Sequence, residues 1–220
     1  MANWVAAHEQ YEANDTALRF PSEALVRLFK GTYVKGMPCD LLGKSVLEVG
    51  CGSGNNLRAM LWWGMEVSGT EIDEEICKVV RRDYPDADVS VGTNTNLKFL
   101  PETFDFLVSW NVLHYETDEE RIEAAIAEYA RVLKPGGRLF MSTTGEEHPM
   151  RRTAQLIKGM RHIIALRGDF REGDVQCFMT RGDIFRLLEK QFTSIVVGQQ
   201  MFHMEYSQCL HWLIVSAVRR

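Results

Sequence analysis

No stretch of this sequence is apolar over the roughly 18 consecutive residues that a membrane-spanning helix needs, so no membrane span is expected. The first residues lack a basic segment followed by an apolar one, and no secretory leader is read there. An excess of positive charge is missing too. The 25 Lys and Arg stand against 30 Asp and Glu, a formal net charge of −5. That balance offers no general attraction to nucleic acid or to an anionic membrane. The five cysteines, Cys39, Cys51, Cys77, Cys177 and Cys209, are scattered, and no pair has the spacing of zinc ligands. An odd, dispersed set points to reduced thiols and a cytoplasmic location. Internal repeats and low-complexity linkers are lacking as well.

What is present fits one globular domain over residues 1–220, with 45% apolar residues to build its core. Residues 1–36 read as an N-terminal helical segment, with Pro21-Ser22-Glu23 starting a helix that carries Leu25, Val26, Leu28 and Phe29. Strands are predicted at Ser45 to Val49, Met65 to Thr70, about Ala87 to Val91, Phe104 to Trp110 and Arg138 to Thr143. Helices are predicted between them, from about Asn55 to Trp63, from Asp73 to before Pro85, and from Thr117 to Leu133. Thr117 and Glu120 have capping-box spacing in the last of these. Strands alternating with helices imply right-handed crossovers and a mostly parallel sheet. Residues 146–178 break the alternation. They read as an inserted lid with one amphipathic helix, Leu156, Ile157, Met160, Ile163 and Ile164 on one face. A helix at Asp183 to Lys190 follows. Two closing strands are predicted, Ser194 to Gln199 and about Cys209 to Val218, with Gln200 to Gln208 as a broad loop.

The most informative run is Val46-Leu47-Glu48-Val49-Gly50-Cys51-Gly52-Ser53-Gly54. An apolar strand ends, a glycine-rich turn follows, and a helix starts. Small residues allow close approach of backbone to a ligand, and the helix start aims N–H groups at it. Glu71 closes the next apolar run, where the dinucleotide fingerprint wants an acid for ribose hydroxyls. That fingerprint also wants a third glycine where this chain has Asn55, so a nicotinamide oxidoreductase is the weaker reading.

The form E-x-G-x-G-x-G resembles motif I of class I S-adenosylmethionine methyltransferases. The resemblance covers about residues 45–143 and is closest to the broad methyltransferase-11/25 type. Glu71 is similar to that family's acid after strand two. Asn96-Leu97 to Pro101 with Phe104-Asp105, Leu113-His114, and Leu133-Lys134-Pro135-Gly136-Gly137 resemble its further motifs, in order. The resemblance implies a Rossmann-like α/β fold: a mostly parallel seven-stranded sheet, an antiparallel C-terminal hairpin, and helices on both faces. It implies S-adenosylmethionine as cofactor, S-adenosylhomocysteine as product, and no metal.

By the same resemblance, Gly50, Cys51, Gly52 and Gly54 form the turn against which the cofactor lies. Glu48 faces its methionine part and Glu71 accepts from the ribose hydroxyls. Ile72 packs on the ribose or adenine, while Trp110 and Asn111 face the methionine part from the end of strand four. Arg19, with Tyr11 as a weaker candidate, resembles the arginine that meets the methionine carboxylate. The family often has an acid near position 93, and here the chain reads Gly92-Thr93-Asn94. Thr93 or Asn94 is then the adenine acceptor. A hydroxyl acceptor calls for a base. His114, just after strand four, is the best-placed histidine, and on position alone it also reads as a structural loop residue. His148 and His203 are secondary.

The segment from His148 to Arg167 collects Arg151, Arg152, Lys158, Arg161 and His162, which suits a small anionic acceptor as well as a solvated helix face. Gly43-Lys44-Ser45 fails as a phosphate loop because it precedes its strand. Trp110-Asn111-Val112-Leu113 lacks the proline pair of base-amino methyltransferases, and nucleic acid is not expected as acceptor. The leading expectation is methyl transfer to an oxygen of a sugar, polysaccharide precursor or natural product. Nitrogen methylation of a metabolite or protein side chain, and a non-catalytic S-adenosylmethionine-binding module, remain as alternatives.

Overall fold

Val46, Leu47 and Val49 are buried, as are Phe106, Leu107 and Val108 on the adjacent strand, so both faces of these strands must be covered. The computed structural model describes residues 20–31, 33–38, 40–152, 154–157, 162–165, 173, 175–204 and 207–220. Its elements run α1 (Glu23–Lys30), β1 (Ser45–Val49), α2 (Asn55–Trp62), β2 (Glu66–Glu71), α3 (Glu74–Asp83), β3 (Asp88–Val91) and β4 (Phe104–Trp110). Then come α4 (Glu119–Val132), β5 (Leu133–Thr144), β6 (Ala154–Leu156), β7 (His162–Ala165), β8 (Val175–Cys177), α5 (Arg181–Leu188), β9 (Phe192–Met204) and β10 (Ser207–Arg219).

Seven strands form one sheet in the order β3-β2-β1-β4-β5-β10-β9. β1 pairs in parallel with β2 and β4, β2 with β3, and β4 with β5. Only β10 runs against its neighbours. The chain order reverses at β1, between β2 and β4, and open α/β sheets bind ligands at the carboxyl ends of strands at such a switch point. One face is covered by α1, α2 and α3 through Leu25, Phe29, Leu57, Met60, Ile76 and Val80. The other is covered by α4 and α5 through Ile122, Ile126, Tyr129, Ile184 and Leu188. Phe29 fixes α1 to the sheet, its ring centroid 4.8 Å from Phe140 and 5.3 Å from Phe106. This is the architecture the family resemblance implies.

Local signals account for the element starts. Asp73 caps α3 by accepting from the N–H groups of Glu75 and Ile76. Thr180 and Asp183 form a reciprocal capping box on α5. The cap of α4 is Asp118, which accepts from Arg121 N–H, and not Thr117. β2 begins one residue later than expected and includes Glu71.

Two expectations are overturned. Residues 146–178 contain no amphipathic helix among those described. They form a second, three-stranded antiparallel sheet in the order β6-β7-β8, with Leu156 opposite Ile163 and Gln155 opposite Ile164. A run rich in β-branched residues can satisfy either period, and pairing with β8 selects the strand. Gln200 to Met204 and Ser207 to Gln208 are likewise strand residues and not parts of a broad loop. β9 and β10 run on as a long hairpin, with Gln200 opposite Trp212 and Phe202 opposite Leu210.

Candidate active site

β1 delivers Glu48 and then turns through Gly50 to Gly54 into α2. The turn requires glycine for two distinct reasons. Gly50 and Gly54 have φ of 66° and 78°, in the left-handed region. A Cβ on Gly50 would lie 2.6 Å from Val112, and one on Gly54 would lie 2.5 Å from the Tyr84 ring. Cys51 N–H donates to Thr70 O at 2.9 Å, which locks the turn to the end of β2. The Cys51 thiol is buried among apolar groups. Burial, followed by the nearby Glu48 and Glu71 carboxyls, pushes its pKa well up, so it stays a neutral thiol.

Glu71 ends β2 and is buried. Its carboxylate accepts from Gly52 N–H at 3.0 Å and from Ile72 N–H at 2.7 Å. The acid therefore ties the glycine turn to the next strand end, and its orientation is set by two backbone donors. Ile72 is half exposed beside it.

Glu48 is buried on the α1–α3 face. Its Oε1 accepts from the Asn56 amide at 2.7 Å, while Oε2 has no hydrogen-bond partner. Burial pushes its carboxyl up to about 8. The Asn56 bond opposes that shift and the Glu71 charge adds to it. Asn56 in turn accepts from Ser22 N–H at 2.9 Å, at the start of α1. α1 is thus linked through Asn56 to the acid of the motif. Sequence reading passed over Asn56, whose only signal was its place on the first turn of α2.

Thr93 and Asn94 follow β3 and differ in role. Thr93 is half-buried, with its hydroxyl 3.5 Å from that of Thr95. The Asn94 amide is engaged at both ends. It accepts from Tyr129 O–H at 2.7 Å and donates to Glu116 at 2.9 Å. Tyr129 and Ser109 hydroxyls lie 3.0 Å apart, and Arg121 donates to Glu116 at 2.7 Å. This chain of bonds fastens α4 to β4 and the β3 loop. Burial raises the Tyr129 phenol above its ordinary range, so it remains a donor.

Trp110 is half-buried at the end of β4. Asn111 has φ of 61°, a left-handed conformation that Asn tolerates. Its N–H donates to Ser142 Oγ on β5 at 2.9 Å, and its side-chain carbonyl accepts from that hydroxyl. The chain then enters a 3₁₀ turn, Leu113–Tyr115, that buries His114. The His114 ring lies 4.4 Å from Tyr115 and 5.8 Å from Trp212 of β10. His148 is buried in the same cluster, 5.3 Å from Trp212 and 5.8 Å from Phe178. Trp212 is a second residue that sequence reading passed over, because its link to His114 arises only from the pairing of β10 with β5.

Arg19, Tyr11 and Arg167 fall outside the described residues, as do the side chains of Arg152, His162 and His203. Arg151 is exposed and donates to Glu146 O. Among the described residues, no group of three or more His, Cys, Asp or Glu could hold a metal ion, and no helix is long and apolar enough to cross a membrane.

Residues 46–137 match the family described as a methyltransferase domain. An uncharacterized methyltransferase of Bacillus cytotoxicus is 35% identical over 109 residues, covering 48% of this chain and 50% of that protein. A ubiquinone biosynthesis O-methyltransferase of Idiomarina loihiensis is 34% identical over 120 residues, covering 50% of this chain and 46% of that protein. The chain spans about half the length of these curated relatives. A solved S-adenosylmethionine-dependent methyltransferase of Methanosarcina mazei superposes with a TM-score of 0.72 at 18% identity, covering 91% of this chain and 99% of that one. The 1,6-didemethyltoxoflavin-N1-methyltransferase of Burkholderia thailandensis, solved with S-adenosylhomocysteine, gives 0.69 at 18% identity, covering 99% of this chain and 85% of that one. At these identities the solved structures show a shared fold.

Proposed function

With residues 46–137 a class I, S-adenosylmethionine-dependent methyltransferase domain, we propose that the chain methylates an oxygen of a small molecule of the sugar, polysaccharide-precursor or natural-product kind. The observation that carries the cofactor half of this reading is the Glu71 carboxylate, buried and pinned between Gly52 and Ile72 N–H at the switch point.

The residues present fit the cofactor. A buried Glu48 oxygen without a partner suits an ammonium, and the left-handed Gly50 and Gly54 shape the turn that brings Gly52 N–H to Glu71. When bound, S-adenosylmethionine supplies a methyl group on a sulfonium, which an acceptor lone pair takes as the carbon–sulfur pair returns to sulfur. The protein's work is then orientation and exclusion of water, worth up to about 7–11 kcal/mol. Glu71 orients the ribose, Glu48 the ammonium, and Thr93 serves as the adenine acceptor in preference to the bonded Asn94. His114 takes the acceptor's proton. β8 packs against the His114 turn, which favours a small acceptor over a macromolecular surface. The basic residues between His148 and Arg167 favour one carrying an anionic group.

Incubation of the full chain with methyl-labelled S-adenosylmethionine and host-cell extract tests the reading. Label in low-mass or saccharide fractions, lost in Glu71→Ala, is the expected result. Label in protein would overturn the acceptor class, and no label with cofactor binding intact would favour a non-catalytic module.

A further inference from the structure

We propose that Gln176 orients the acceptor, recognising an uncharged donor–acceptor edge of its ring that is separate from any anionic substituent. This inference rests on the methyltransferase reading given above. Gln176 lies on β8, the lid strand packed against the Leu113–Tyr115 turn. Its neighbour Cys177 joins the core on the α4–α5 side, and its carbonyl accepts from Thr144 Oγ1. Alternation along an extended chain puts Gln176 and Phe178 on the opposite side from Cys177. That is the side of His148, Trp212 and His114, since the Phe178 ring lies 5.8 Å from His148.

Gln176 is 1% exposed, and neither its Oε1 nor its Nε2 has a hydrogen-bond partner. Asn56 and Asn94 are each bonded at both ends, whereas among the described residues Gln176 lacks a partner at both ends and Gln191 at its oxygen. A buried amide left open at both ends calls for a partner that the chain does not supply. A carboxamide presents N–H and C=O side by side in one plane, so its complement is a lactam, amide or hydroxyl edge. The linked rings on the Phe178 side of β8, His148, Trp212, His114 and Tyr115, suit a flat ring bearing that edge. Gln176 would hold the acceptor's non-reacting side, leaving the reacting atom to His114.

The test uses the full chain saturated with S-adenosylhomocysteine, and α-pyridone as probe, a ring with adjacent N–H and C=O. N-methyl-α-pyridone, with the donor blocked, is the control. Ligand-observed NMR titration should give α-pyridone binding about tenfold weaker in Gln176→Leu than in the wild type, with the control equal in both. Gln176→Met, of the same length, should behave like Gln176→Leu. Without probe, both variants should melt at or above the wild-type temperature, because an unsatisfied buried amide is removed. Equal pyridone affinity in wild type and variants, no pyridone binding to the wild type, or a lower melting temperature in both variants would overturn the proposal. Failure of the S-adenosylhomocysteine titration itself would instead sink the cofactor reading.

Discussion

Asn56 donates its amide to one oxygen of the buried Glu48 at 2.7 Å and leaves the other oxygen without a partner. Desolvation then dominates, and the Glu48 carboxyl sits near 8. The native state therefore keeps a proton that the unfolded chain gives up above its ordinary value of 4.5. Below that value the contribution of Glu48 to stability is fully present. It is lost as pH rises through the native value near 8. Glu48→Gln should accordingly melt like the wild type near pH 4.5 and several degrees higher at pH 8. Thermal scans across this window check it. A variant less stable than wild type at pH 8 would show that the carboxyl is already ionised in the native protein.

The same proton predicts linkage to cofactor binding. An ammonium placed at Glu48 favours the carboxylate, so S-adenosylhomocysteine binding near pH 7 should release a proton. Calorimetry in buffers of different ionisation enthalpy should give apparent heats that vary with the buffer. Glu48→Gln should abolish that variation and weaken binding.

His114 is held by packing against Tyr115 and Trp212 and lies apart from the bonds that fix Glu48 and Glu71. His114→Ala should cut turnover by about 10²–10⁴ while S-adenosylhomocysteine affinity stays within twofold, roughly the scatter expected for an uncoupled site. Single-turnover methylation with the identified acceptor, run beside a binding titration, separates the two. Wild-type turnover in the variant would exclude a base role.

Tyr129→Phe removes one hydroxyl that serves both Asn94 and Ser109. Two buried groups lose a partner, at a cost of about 1–3 kcal/mol each. The variant should show a lower urea midpoint with an unchanged slope. A midpoint equal to wild type would mean that the bond chain from Ser109 to Arg121 does not hold α4 in place.

What the sequence made legible was local. β1, β4 and the glycine turn sit where apolar runs and Gly50 to Gly54 put them, because strand burial and positive φ are written in consecutive residues. Asp73 could be read as a cap for the same reason. The β6-β7-β8 sheet was not legible, since Ile163 and Ile164 suit either period and only pairing with β6 and β8 decides between them. The long β9–β10 hairpin depends on pairing that no short window contains. The bonds of the Asn94 amide to Tyr129 and Glu116 join residues 35 and 22 positions away, beyond any short window. Trp212 and Gln176 gained meaning only from where β10 and β8 lie.

Glu71, pinned by Gly52 and Ile72 N–H, is the group proposed to receive the ribose of S-adenosylmethionine. Calorimetric titration of the full chain with S-adenosylhomocysteine, beside Glu71→Ala and with NAD as a rival ligand, decides whether it does. The expected result is one equivalent bound by the wild type, affinity at least about tenfold weaker in Glu71→Ala from loss of charged hydrogen bonds, and no heat with NAD. Equal affinity in Glu71→Ala, or binding of NAD in place of S-adenosylhomocysteine, would contradict it.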